Sequence, residues 1–96
     1  MPLQLCAILW ATPGREADLI SYEDTVLALL PAHGGRVVSR VRRIDDEDGP
    51  LEVQVIDLPD EAALEAYLAD PGRVALAETH EAVIARTEVI RVATVG

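Results

Sequence analysis

Apolar positions fall into an ordered series of runs along this chain. Leu3, Leu5, Ala7 and Leu9 alternate with Gln4, Cys6, Ile8 and Trp10, and both sets are largely apolar. Such a run, Leu3–Trp10, reads as a strand that needs cover on both faces. Thr12-Pro13-Gly14 breaks it. A helical pattern follows from Arg15 to about Ala32. Leu19, Tyr22, Val26, Leu29 and Leu30 form its stripe, widened by Ile20 and Leu27. Pro31 and the pair Gly34-Gly35 close it. Two strand-like runs come next, Arg36–Ile44 and Leu51–Leu58, joined by the acidic turn Asp45-Asp46-Glu47-Asp48-Gly49-Pro50. In the first of these, Val37, Ser39 and Val41 share one face, and Arg36, Arg40, Arg42 and Val38 share the other. Asp60 suits the N-cap of a second helical stretch carrying Leu64, Tyr67 and Leu68. Pro71 interrupts that stretch, and helix resumes near Gly72 or Arg73 to run to about Arg86, on a stripe of Leu76, His80, Val83 and Thr87. A final strand-like run, Glu88–Val95, ends the chain.

The order is βαββαβ, the split-βαβ plan of ferredoxin-like folds. The expected class is α+β: an antiparallel four-stranded sheet with helices on one face. Helices cover only one face in this plan. A second subunit is the simplest cover for the other, so a homodimer is expected.

Ninety-six residues make one domain, spanning residues 1–96. A chain of this size is marginal alone, and dimerisation would help it. The formal charge is −9, from 17 acidic and 8 basic residues, and every basic residue is an arginine. That balance repels phosphate backbones and anionic membrane surfaces, so neither nucleic acid nor membrane is expected as a partner. One cysteine, Cys6, cannot form an internal disulfide. A reducing, cytoplasmic setting is the corresponding expectation. No apolar run approaches the ~20 residues of a membrane span.

Chemistry-bearing residues are few. His80 falls on an apolar stripe where a hydrophobe is the usual occupant. A neutral imidazole there suits a general base or a ligand hydrogen bond; the plain alternative is a core histidine with a backbone partner. His33, just after the first helix, suits the dipole at its C-terminus better than catalysis. Trp10 suits an aromatic pocket wall, or packing in a core or interface. Tyr22 and Tyr67 face inward on their helices and suit either a cavity or the core. Arg40 suits a carboxylate ligand, or an ion pair across the hairpin with a residue such as Glu52. Cys6 reads as an inert buried thiol, and Asp45–Asp48 as a solvated loop rather than a calcium site. No metal motif, phosphate loop, Rossmann fingerprint or nucleophile elbow is present, so no metal or cofactor is expected.

Tyr22-Glu23, the Gly34-Gly35 pair and the segment LPDEAALEAYLADPGRVAL from Leu58 to Leu76 resemble the dimeric α+β-barrel superfamily, within it most closely its small bacterial proteins of unknown function. The resemblance covers nearly the whole chain. It implies two subunits packed sheet against sheet, with helices outside. Members include cofactor-free monooxygenases acting on aromatic polyketides, lactone isomerases, polyketide cyclases, haem-degrading enzymes and dehydratases; others only bind small ligands. Their sites lie between the sheet and the helices of each subunit. The resemblance therefore implies a small hydrophobic or aromatic ligand, and carries no catalytic motif residue by residue; the residues' own chemistry suits His80 to acid/base work, Tyr22 and Trp10 to pocket walls or hydrogen-bond donors, and Arg40 and Tyr67 to ligand contacts. A non-catalytic ligand-binding or structural dimer is the alternative.

Overall fold

The computed structural model describes residues 2–95. Its elements are β1 (Leu3–Ala11), α1 (Glu16–Leu27), a 3-10 turn (Leu30–His33), β2 (Arg36–Arg42), β3 (Glu52–Leu58), α2 (Glu61–Leu68), α3 (Pro71–Val74), α4 (Ala77–Val83) and β4 (Ile84–Arg91). The strands form one antiparallel sheet in the order β2-β3-β1-β4. This is the expected βαββαβ plan, and the helices pack on one face of the sheet.

Local chemistry explains most boundaries. The α1 pattern is regular only to Leu27. Beyond it, Pro31 starts a tighter turn that ends at Gly34, whose φ of 75° a side chain would resist. A Cβ there would also lie 2.8 Å from the Pro59 ring. Asp60 caps α2 by accepting from the Ala63 N–H at 2.8 Å, as expected.

The last third of the chain differs from its reading. The expected helix to Arg86 is two short pieces, α3 and α4, separated at Ala75-Leu76. It stops at Val83, and β4 begins at once at Ile84 rather than at Glu88. Ile84 pairs with Ala11, and the Thr12 N–H donates to the Val83 carbonyl at 2.9 Å. Thr87 sits three residues beyond Ile84 and so continues a helical spacing by coincidence. Its β-branched neighbours Val89 and Ile90 prefer the strand.

A second difference lies in β2. The register slips between Val37 and Ser39, leaving Val38 as an extra residue. Arg36 opposes Asp57 on one face, while Arg40 and Arg42 oppose Gln54 and Glu52 on the other. The three arginines therefore do not share a face.

The sheet's two sides are unlike. Leu5 and Leu9 of β1, Ile56 and Leu58 of β3, and Ile84 of β4 meet Leu19, Val26, Leu27, Leu30, Tyr67 and Val83 beneath the helices. On β3 that buried side also carries Glu52, fully buried, and Gln54. The opposite side shows Val41, Val53 and Ile8 in one cross-strand row and Val55, Cys6 and Ile90 in the next. Val41 is 57% exposed and Ile90 52%. Cys6 is half-buried on this open side, and its thiol is free.

Candidate functional site

Between the sheet and the helices lies a cavity of about 300 Å³. Its floor is apolar: Leu5, Ala7, Leu9 and Ile56, continued by Val89 toward the β4 edge. Ala7 sits at the centre of a row running Arg40, Gln54, Ala7, Val89, and its small side chain leaves the space open. Leu27, Leu64 and Leu68 contribute from the helices. The polar groups on the wall are Glu23, Gln54, Tyr67, Arg73, His80, Thr87 and Arg91.

His80 projects from α4 onto this wall and is half-buried. Burial, then the charge of Arg73, push its imidazole below the ordinary value of 6.5. It is therefore neutral at pH 7. Among the described residues neither ring nitrogen has a hydrogen-bond partner. Its ring meets that of Tyr22 edge-on, with centroids 5.6 Å apart and an interplanar angle of 72°.

Tyr22 itself does not line this cavity. It is buried beneath α1, its pKa raised by burial, and it borders a more open crevice with Val83 and Leu76. Tyr67 does line the cavity, but its hydroxyl is committed, donating to the Val26 carbonyl at 2.9 Å.

Trp10 and Arg40 stand apart from the cavity. Strand alternation from the buried Leu9 turns Trp10 to the sheet's other face, where the Arg86 guanidinium lies 4.5 Å above its ring. Arg40 is on the helix side but fully engaged. Its Nε donates to Glu52 at 2.8 Å, Nη1 to Asp24 at 2.5 Å, and Nη2 toward the Ile20 carbonyl at 3.4 Å. Arg42 adds a second guanidinium to Glu52 at 2.9 Å. Burial alone would raise the Glu52 pKa, but the hydrogen bonds from Arg40, Gln54 and Arg42 prevail and lower it. His33, also away from the cavity, pairs with Asp70 at 2.7 Å.

Two residues of the wall carry chemistry that the sequence pattern did not single out. Glu23 is 6% exposed. Its Oε1 accepts from Gln54 at 2.7 Å, and burial raises its pKa. It lies four residues from both Leu19 and Leu27, so helical spacing held the signal. Arg73 lies over the Tyr67 ring at 4.7 Å. Asp70, three residues before it, is the acid within local helical reach. Among the described residues no three His, Cys, Asp or Glu side chains gather as a metal site, and no helix is long and apolar enough to cross a membrane.

The fold has close counterparts among solved structures. PA3566 of Pseudomonas aeruginosa aligns with a TM-score of 0.76 at 22% identity, over 99% of this chain and 95% of its own. A candidate antibiotic biosynthesis monooxygenase from Bacteroides thetaiotaomicron gives 0.77 at 17% identity, over 97% and 89%. A dimeric protein of unknown function with a ferredoxin-like fold, from Bacteroides fragilis, gives 0.71 at 9% identity, over 95% and 94%. The fold is ferredoxin-like. No protein-family model matches the chain, and no curated protein matches it by sequence.

Proposed function

We propose that this chain is a homodimeric enzyme that removes a proton from an apolar or aromatic small molecule held between sheet and helices. Proton removal is the chemistry that monooxygenase, isomerase and cyclase reactions on such compounds have in common. The observation that carries the reading is His80: a neutral imidazole, without a hydrogen-bond partner among the described residues, on the wall of an apolar cavity of about 300 Å³. That size is at the lower end of ligand pockets, which run from about 300 to 1,000 Å³. The candidate monooxygenase among the structural counterparts supports the same reaction class. A free thiol such as Cys6 suits a reducing, cytoplasmic setting.

The test is exchange of the α-protons of 2-tetralone, a bicyclic aromatic ketone, into D₂O, followed by NMR. The protein is expected to accelerate exchange, and His80→Ala to lower that acceleration by about 10² or more. The rate should rise with pH through a midpoint below 6.5 and then level off, because only the neutral imidazole accepts a proton and burial depresses its pKa. Exchange at the wild-type rate in a folded His80→Ala protein would remove the assignment. Binding without exchange would leave a ligand-binding dimer.

The homodimer rests on the exposed valines and isoleucines of the open sheet face, and a dimeric counterpart of the same fold supports it. Val41→Asp is expected to convert dimer to monomer in sedimentation, since it places a charge on an exposed apolar position of that face. A wild-type monomer at every concentration would break this part of the proposal.

A further inference from the structure

The cavity reading leaves open what feature of a ligand the wall recognises, and the arginines speak to that. The chain has eight basic residues, all arginine. Seven of them contact a carboxylate: Arg15 with Asp18, Arg36 with Asp57, Arg40 and Arg42 with Glu52, Arg43 with Asp45, Arg86 with Glu88, and Arg91 with Glu61. Arg73 alone, among the described residues, has no carboxylate within salt-bridge distance. With 17 acidic residues in the chain, this is no shortage of partners.

The nearby acids are occupied or turned to the exposed side of their helix. Asp70 accepts from the Gly72 N–H and from His33, each at 2.7 Å. Glu23 accepts from Gln54, and burial favours its neutral form. Glu81 follows His80 on the exposed side of α4. Tyr22 and Tyr67 are neutral phenols at pH 7, both with raised pKa from burial. What holds Arg73 is the Tyr67 ring beneath its guanidinium, a cation–π contact that uses the flat face of the group. Its N–H donors lie around the edge of that plane and are not consumed by the ring. The residue is half-buried and forms part of the cavity wall together with His80.

We propose that Arg73 is the anion-recognition residue of this cavity, and that the bound ligand is an apolar ring compound carrying one negatively charged oxygen. The inference rests on the cavity reading above. The charge has two sources. It is either a carboxylate present before binding, or an oxyanion made in the site. In the second case His80 takes the proton of a C–H beside a carbonyl and becomes imidazolium. The electron pair of the broken bond moves onto the carbonyl oxygen, and Arg73 donates to that enolate.

The experiment uses two matched probes and three variants. Binding of 2-naphthoate and of its neutral isostere 2-naphthamide is measured by calorimetry, and 2-tetralone exchange by NMR. If the charge is a ligand carboxylate, the wild type binds naphthoate about 10-fold or more tighter than the amide, and Arg73→Gln erases the preference while leaving amide affinity unchanged. If the oxyanion is made in the site, Arg73→Gln lowers the maximal exchange rate about 10-fold or more with tetralone affinity unchanged. Arg73→Lys, which keeps the charge, restores part of either effect. Ala7→Phe fills the cavity floor and abolishes binding of both probes. Amide and naphthoate bound equally by the wild type, together with unchanged exchange in Arg73→Gln, would overturn the assignment of Arg73 and leave the cavity standing. Binding of neither probe, with no exchange, would overturn the cavity reading and this inference together.

Discussion

Two polar groupings lie against the helical side of this sheet, and their arginines are treated in opposite ways. At the β2–β3 corner, Glu52 is fully buried and receives Arg40, Arg42 and Gln54. Every strong donor there points at a protein acceptor. At the other end, where α3 and α4 border the cavity, Arg73 and His80 lie on one wall, and among the described residues neither has a carboxylate partner. A charge partly withdrawn from water without a partner carries a cost, so a fold tends to keep one only where something else meets it. The first grouping is a structural joint between the hairpin and α1. The second has the incompleteness of a binding surface. The contrast teaches that arginine count alone is uninformative in this chain; what matters is which guanidinium is left over.

The largest effect should come from breaking the joint. Glu52→Ala removes the acceptor of both Arg40 and Arg42, whose side chains are only 23% and 38% exposed, and one acceptor of the buried Gln54 amide. Removing one partner of a buried ion pair strands the others, and the expected loss is about 3 kcal/mol in urea denaturation at pH 7. A loss under about 1 kcal/mol would place this cluster with ordinary surface pairs and erase the contrast with the cavity end.

Sequence pattern carried the joint and the fold further than it carried the cavity. The βαββαβ order, the Asp60 cap and the two-sided β1 strand were all legible, because periodicity and capping are local properties. Arg40 with Glu52 was legible too, since both sit on a hairpin. The α4–β4 junction was not, because Ile84 and Thr87 fit a helical stripe and a strand equally well. Residue type groups Trp10 and Arg40 with a cavity, whereas their positions depend on strand alternation and on a partner one strand away. Arg73 was hidden for a physical reason: its obvious partner, Asp70, is taken by Gly72 and by His33, a residue 37 positions earlier. No local rule reveals that.

Glu23 sits between the two groupings, tied to the joint through Gln54 and facing the cavity. Its pKa is raised, chiefly by burial, while that of Glu52 is lowered. The two therefore act on stability in opposite directions. Glu23 contributes stability that is complete below its unfolded value near 4.5 and is lost as pH rises through its folded pKa. Glu52 contributes stability present above 4.5 and lost as pH falls through its folded pKa. Glu23→Gln mimics the protonated acid. Relative to wild type it should gain in stability between pH 4 and pH 8, by up to about 1 kcal/mol. Parallel curves for the two proteins across that range would show that Glu23 titrates like a solvated carboxylate and belongs to neither grouping.

The smallest expected effect is the sharpest discriminator. Arg40→Gln and Arg73→Gln make the same chemical change at the two ends of the comparison. Arg40→Gln leaves Glu52 with fewer donors at full burial and frees Asp24, and about 2 kcal/mol should be lost. Arg73→Gln breaks no ion pair and costs only its contact with the Tyr67 ring, about 0.5 kcal/mol. It also removes a positive charge from beside His80, so the imidazole should titrate closer to 6.5 by NMR while the fold stays intact. A guanidinium that serves the fold would reverse this ordering. If Arg73→Gln destabilised the protein as much as Arg40→Gln, the residue would be a structural member of the α2–α3 corner, and the cavity wall would have to recognise its ligand by other means.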